Sequence, residues 1–227
     1  MTKPTSLIFA FLLSLSGSCH AQQTSNYDIA TEYVRDLAVI NDIQSAAKKE
    51  AKQTKNPTQT FVNNIRTGTK IKLELQAAVG RLSAMTPATE AQASVDFLVG
   101  SYKLQIGYHD RLIDIGTEFL SGPKPEVNYG ALTAEVPKIS ATLGEIDKSI
   151  FELANLIFAQ LVDLRPDRDG HVSHLTITKA QRLRLIALID SRFGASLQDQ
   201  NSSWVVSGAW LMRSNLLKDF KSADEPW

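Results

Sequence analysis

From Leu132 to Ile157 the apolar residues Leu132, Val136, Ile139, Leu143, Ile146, Ile150, Leu153 and Ile157 recur in alternating steps of four and three. This is the heptad seam of a helix whose apolar stripe must be covered by other helices. In a chain of 227 residues the cover is expected from the same molecule, with the seam lining a bundle interior. Self-association through the seam is the competing use. Pro137 lies in the first turns, so the regular helix is expected to begin near Val136.

The rest of the chain repeats this helical logic. Tyr33, Leu37, Ile40, Ala47 and Ala51 predict an amphipathic helix from Tyr27 to about Gln53, ended by Asn56-Pro57. A second helix is expected over Thr58–Met85, with Phe61, Ile65, Ile71, Leu75, Ala78 and Leu82 on one face. Within it, residues 69–75 alternate with the period of a strand, and the two readings stay open there. Thr86 as N-cap and Pro87 at the first helical position predict a third helix running to Gly122-Pro123. It carries two apolar stripes, one through Val95, Leu98 and Tyr102, the other through Phe97, Leu104 and Tyr108, so burial on two faces is expected. Gly100, Gly107 and Gly116 within it predict close approach of neighbouring helices.

Thr178 and Gln181 form a capping-box pattern before Leu185, Ile186, Leu188 and Ile189, and Gly194 is the stop. A last helix is expected over Ser202–Lys221, with one of Trp204 and Trp210 in the core and the other more exposed. The fold class is therefore all-α: an antiparallel bundle of four long helices plus a C-terminal helical hairpin. No repeat or linker divides residues 22–227, which are read as a single helical domain.

Residues 1–21 read as a secretory signal peptide: Lys3, an apolar run from Leu7 to Leu15, and small residues before Ala21. The run is shorter than the roughly 20 residues a membrane span needs. Cleavage after Ala21 leaves Gln22 as the N-terminus and a chain without cysteine. A looser pattern, Ser16-Gly17-Ser18-Cys19, resembles a bacterial lipobox and makes Cys19 the candidate for lipidation. The expected address is the periplasm or the exterior, with a membrane-anchored lipoprotein as the alternative.

Composition removes whole classes of function. Lys and Arg number 24, Asp and Glu 24, and the pI is near 6.9, so the basic footprint of a nucleic-acid binder is missing. A single cysteine excludes an internal disulfide and a multi-thiolate metal site. The chain has no nucleophile elbow, phosphate-cradling glycine loop or zincin motif, so no catalytic or cofactor-binding residue is assigned.

The candidate metal ligands are Asp167, Asp169, His171 and His174, with Asp163 nearby, in a loop that otherwise reads as a solvated turn. His109, between Ile106 and Ile113, is read as a core or boundary histidine. Lys179, Arg182 and Arg184 are read as a solvated basic face. The expectation is an exported, non-enzymatic helical bundle of the bacterial cell envelope that binds an envelope protein or a small ligand. It carries no cofactor, binds no nucleic acid, and meets the membrane only if lipidated at Cys19. The alternatives are a metal-dependent hydrolase built on the Asp167–His174 loop, and a self-associating scaffold or lipoprotein spacer.

Overall fold

The computed structural model describes residues 24–54, 56–87, 89–162, 177–198 and 204–217. Among these residues the regular structure is helical, without a strand. Six α-helices follow in order: α1 (Asn26–Gln53), α2 (Pro57–Ser83), α3 (Thr89–Leu120), α4 (Tyr129–Val162), α5 (Lys179–Phe193) and α6 (Trp204–Leu217), with a 3₁₀ segment at Gly194–Gln198. None of the described helices is long and apolar enough to cross a membrane. The leader, with Cys19 in it, lies outside the described residues.

Local chemistry explains the boundaries. Ser25 caps α1, its hydroxyl accepting from the Asp28 N–H while Asp28 accepts from the Ser25 N–H, a reciprocal box that satisfies two orphan donors. Asn56 accepts from the Thr58 N–H at 2.9 Å, and Pro57 occupies the first turn of α2, where its missing N–H costs nothing. Thr178 and Gln181 form the expected box at α5, and Gly194, with φ of 44°, supplies the left-handed residue that stops it.

Residues 69–75 are helical, and burial shows why the alternating pattern misleads. Ile71 and Leu75 face the core, whereas Leu73 is 59% exposed. On a strand all three share a face; on a helix the middle one points away.

Antiparallel pairings run through the first four helices. Glu50 and Asp36 of α1 meet Arg66 and Arg81 of α2; Lys72 of α2 meets Asp110 of α3; Gln105 and Arg111 of α3 meet Asp147 and Glu135 of α4. Along α1 and α2, and along α3 and α4, one number rises as the other falls, and Phe61 against Phe119 shows the same for α2 and α3. The α4 helix also packs on α1 and α6, and α1 touches α2, α4, α5 and α6. Ile139 and Ile150 of the heptad seam are buried inside the chain, so that stripe is used internally.

Several expectations are corrected. Helix α4 runs from Tyr129 through Pro137, and because Thr133 and Pro137 are both exposed, the Thr133 carbonyl that Pro137 has no N–H to serve lies where water can reach it. Helix α3 starts at Thr89, because Thr24 donates to the Thr86 carbonyl (2.8 Å) and its hydroxyl accepts from the Thr86 N–H (3.0 Å), holding Thr86 and Pro87 in an isolated bridge. The second α3 stripe is not covered at Phe97 and Leu104, which are exposed, and neither is Ala51 of α1. Only Gly116 of the three α3 glycines marks a close approach: a Cβ there would lie 2.8 Å from Ile65 Cγ1, while Gly100 and Gly107 face open space. Arg182 is buried rather than solvated and donates from Nε to the Leu216 carbonyl at 2.5 Å, capping the end of α6. Trp210 is 54% exposed, and the Trp204 side chain lies outside the described residues.

Candidate functional site

A polar cluster sits where α1, α2, α3 and α4 meet, on positions that otherwise belong to the apolar stripes. On α1, Ile29, Tyr33, Asp36 and Ile40 follow one another at helical spacing, which turns the Asp36 carboxylate inward. On α3, Leu98, Tyr102, Gln105 and His109 do the same, and on α4 Asp147 stands one turn from Leu143 and Ile150. Tyr33, Asp36, Tyr102 and Gln105 are buried; His109 and Asp147 are part-buried.

The two carboxylates are held differently. Asp36, 1% exposed, accepts from Arg81 Nη2 at 2.5 Å, while the same guanidinium pairs with Glu74 at 2.8 Å and Glu32 at 3.1 Å. Burial pushes the Asp36 carboxyl up to about 7, outweighing the Arg81 bond, and the neighbouring Glu74 and Glu32 add to the rise. Burial alone would weaken the Arg81 cation, but its acidic partners hold it firmly protonated. Asp147 accepts from Gln105 Nε2, and burial likewise pushes it up to about 7. No Lys or Arg among the described residues reaches it.

Tyr33 and Tyr102 lie between the acids. Burial first, then the negative charge of Asp36 and Asp147, keeps both phenols neutral far above the usual tyrosine range. The Tyr33 hydroxyl and Asp36 Oδ2 are buried without a hydrogen-bond partner among the described residues. His109 is pushed down by burial, so its imidazole is neutral at pH 7 despite Asp110 beside it.

Two cavities open on His109 and Ile71. The smaller, about 140 Å³, is walled by Ile40, Gln44, Gln105, Leu143 and Asp147. The larger, about 310 Å³, is mostly apolar, lined by Phe61, Ile65, Leu112, Ile113, Ile115, Val136 and others. Phe61 closes one end of it, stacking on Phe119 at 5.3 Å, with Tyr129 against Phe119 in turn. Tyr129 is pinned by donating to the Gly122 carbonyl at 2.6 Å. Ser140, also in this wall, spends its hydroxyl hydrogen on the Val136 carbonyl.

A third hollow, about 460 Å³, lies between α1, α2 and α5 and is lined by Glu32, Arg35, Glu74, Arg81 and Arg192. It is larger but chemically closed. Its guanidinium groups are paired with Glu32, Glu74, Asp36 and Asp42, so a ligand would have to break existing ion pairs. The pair of cavities at His109, with a carboxylate in one wall that no cation among the described residues reaches, is the better candidate.

The chain matches no protein-family model, no curated protein sequence and no solved structure. The site is therefore read from its residues alone. Of the candidates named from the sequence, His109 takes its boundary place in the walls of both cavities. Asp163, Asp167, Asp169, His171 and His174 lie outside the described residues, and among the described residues no three His, Cys, Asp or Glu side chains are grouped to hold a metal. Sequence reasoning missed Asp36, Gln105 and Asp147. The signal for each was a polar residue standing in the register of an apolar stripe.

Proposed function

We propose that the chain is an exported, non-enzymatic helical-bundle protein of the bacterial cell envelope that binds a small ligand in the cavities at His109. In this reading α1–α4 form an antiparallel four-helix bundle, α5 and α6 form a helical hairpin on it, and residues 22–227 make one domain. The carrying observation is the larger cavity: at about 310 Å³ it falls at the lower end of small-molecule sites, and it shares His109 and Ile71 with the smaller cavity, whose wall carries Gln105 and Asp147. A binder is favoured over an enzyme because neither hydroxyl of the wall is hydrogen-bonded to His109: Ser140 donates to its own helix, and Thr67 makes no bond to the imidazole.

The cavity is testable with a neutral apolar probe. Phenethyl alcohol titrated calorimetrically into the protein should bind saturably with a negative heat-capacity change, and Val136→Phe, which fills the lining, should abolish the signal. Binding that persists unchanged in that variant would place the ligand elsewhere. Export rests on the character of residues 1–21. Mass spectrometry of the native protein should find Gln22 as the first residue, or an acylated Cys19; an intact Met1 on the mature protein would remove export from the proposal.

A further inference from the structure

We infer that the ligand is a small organic cation, a protonated amine seated against Asp147 and Gln105 with its apolar body in the compartment between Phe61, Ile65 and Leu112. This rests on the ligand-binding reading above and adds the ligand's charge and shape to it.

Charge is the first argument. Asp36 and Asp147 are both carboxylates turned toward the bundle interior, yet Asp36 has Arg81 at 2.5 Å and Asp147 has no cation among the described residues. Its one bond comes from Gln105 Nε2, a neutral donor. A part-buried carboxylate without a counter-ion is an incomplete arrangement, since desolvating a charge is unfavourable until it is paired. The walls of both cavities contain neither Lys nor Arg. An anion entering here meets a carboxylate and no compensating charge.

Hydrogen-bonding capacity is the second. With its amide N–H group engaged by Asp147, Gln105 still has a carbonyl lone pair to offer, and the neutral His109 ring has one acceptor nitrogen. Together with Asp147 these form an acceptor-rich end that suits an ammonium group. A bare metal ion fits poorly, because calcium wants six to eight oxygens and zinc prefers imidazole, thiolate and carboxylate ligands, whereas this wall offers one imidazole and one carboxylate beside two amides. Shape is the third. The larger cavity, which shares His109 and Ile71 with the smaller one, is lined by Phe61, Ile65, Leu112 and Val136, which suits an aryl or alkyl body rather than a polar one.

Three probes of matched shape test this in the mature protein at about pH 8, above the Asp147 titration near 7. Calorimetry with phenethylamine should give affinity about ten- to a hundredfold tighter than with phenethyl alcohol, the worth of a charged over a neutral hydrogen bond, and 3-phenylpropionate should not bind. Asp147→Asn should remove the amine's advantage, bringing its affinity down to that of the alcohol measured in the same variant. If the alcohol binds and the amine binds no more tightly, or if Asp147→Asn leaves the amine's advantage intact, the amine assignment is overturned while the ligand-binding reading stands. If no probe binds, both fall. Should the Asn variant fail to fold, ¹³C titration of the Asp147 carboxyl decides: phenethylamine should move it to lower pH and phenethyl alcohol should not, and a titration unmoved by the amine overturns the assignment.

Discussion

Raising the pH from about 5 to about 8 should weaken the fold by several kcal/mol, the reverse of the rise that salt-bridged carboxylates usually produce. Asp36 and Asp147 titrate near 7 in the folded chain and near the ordinary 3.8 when unfolded. Between those limits the folded state holds protons that the unfolded state has already released. The stability they contribute is complete below the unfolded value and is lost as pH climbs through the folded one. At about 1.4 kcal/mol per pH unit, each group contributes a loss of about 2–3 kcal/mol over the part of the window above pH 5.

Within the window one group with a resolved shift works against this slope, and it does not cancel it. His109 is held below its ordinary 6.5, so stability rises with pH as pH approaches that value from below, for one group only. Glu135 is held low by its bond from Arg111, and its effect falls below the ordinary carboxylate range, outside the window. Urea unfolding across the pH range should show the fall, and Asp36→Asn with Asp147→Asn should flatten it. Arg81→Met isolates one arm. At pH 8 it leaves the buried Asp36 without its cation, so the carboxyl takes up a proton, and the cost should exceed that at pH 5 by about 1–1.5 kcal/mol, the worth of the one pH unit above its value near 7. At pH 5, with Asp36 protonated, the cost should shrink. A stability profile that is level or rises from pH 5 to 8 would show that the acids are solvated rather than enclosed.

The helices were legible because each buried face repeats at the helical period, and the caps at Thr178 and Gly194 because a box and a left-handed glycine are local chemistry. The errors arose where tertiary contacts decide. Pro137 ends a helix only if the freed carbonyl has no other partner, and an exposed position supplies water. Arg182 reads as one of three basic residues on a charged face until α6 brings its last carbonyls within reach. Gly100 and Gly107 have the same composition signal as Gly116, but only Gly116 faces Ile65.

The candidate site was hidden for a related reason. Asp36, Gln105 and Asp147 each break an apolar stripe by one residue, which a pattern scan passes over as noise. What gives them meaning is the helix register that sets Gln105 against Asp147 and Asp36 against Arg81, leaving one acid paired and the other not. Register between helices separated by turns and loops is a property of the packed whole.

Truncation along the α4 seam should expose the difference between core and cavity wall. Ile139 and Ile150 are eleven residues apart, about three helical turns, so they point in nearly the same direction, and both are buried. Ile150, 1% exposed, belongs to the main core together with Ala154. Leu143 lies between them in the heptad but is part-buried, with its side chain in the wall of the smaller cavity. Ile150→Ala removes well-packed atoms that nothing nearby can replace, and should cost about 2–5 kcal/mol in urea unfolding. Leu143→Ala widens a space that already exists and loses fewer contacts, so about 1–2 kcal/mol is expected, below the cost at a fully buried leucine. Equal costs at the two positions would mean that the space beside Leu143 closes as tightly as the core around Ile150, and the site would lose its polar end. A cost below about 0.5 kcal/mol at Ile150, the range of surface substitutions, would show that this face of α4 is not core at all.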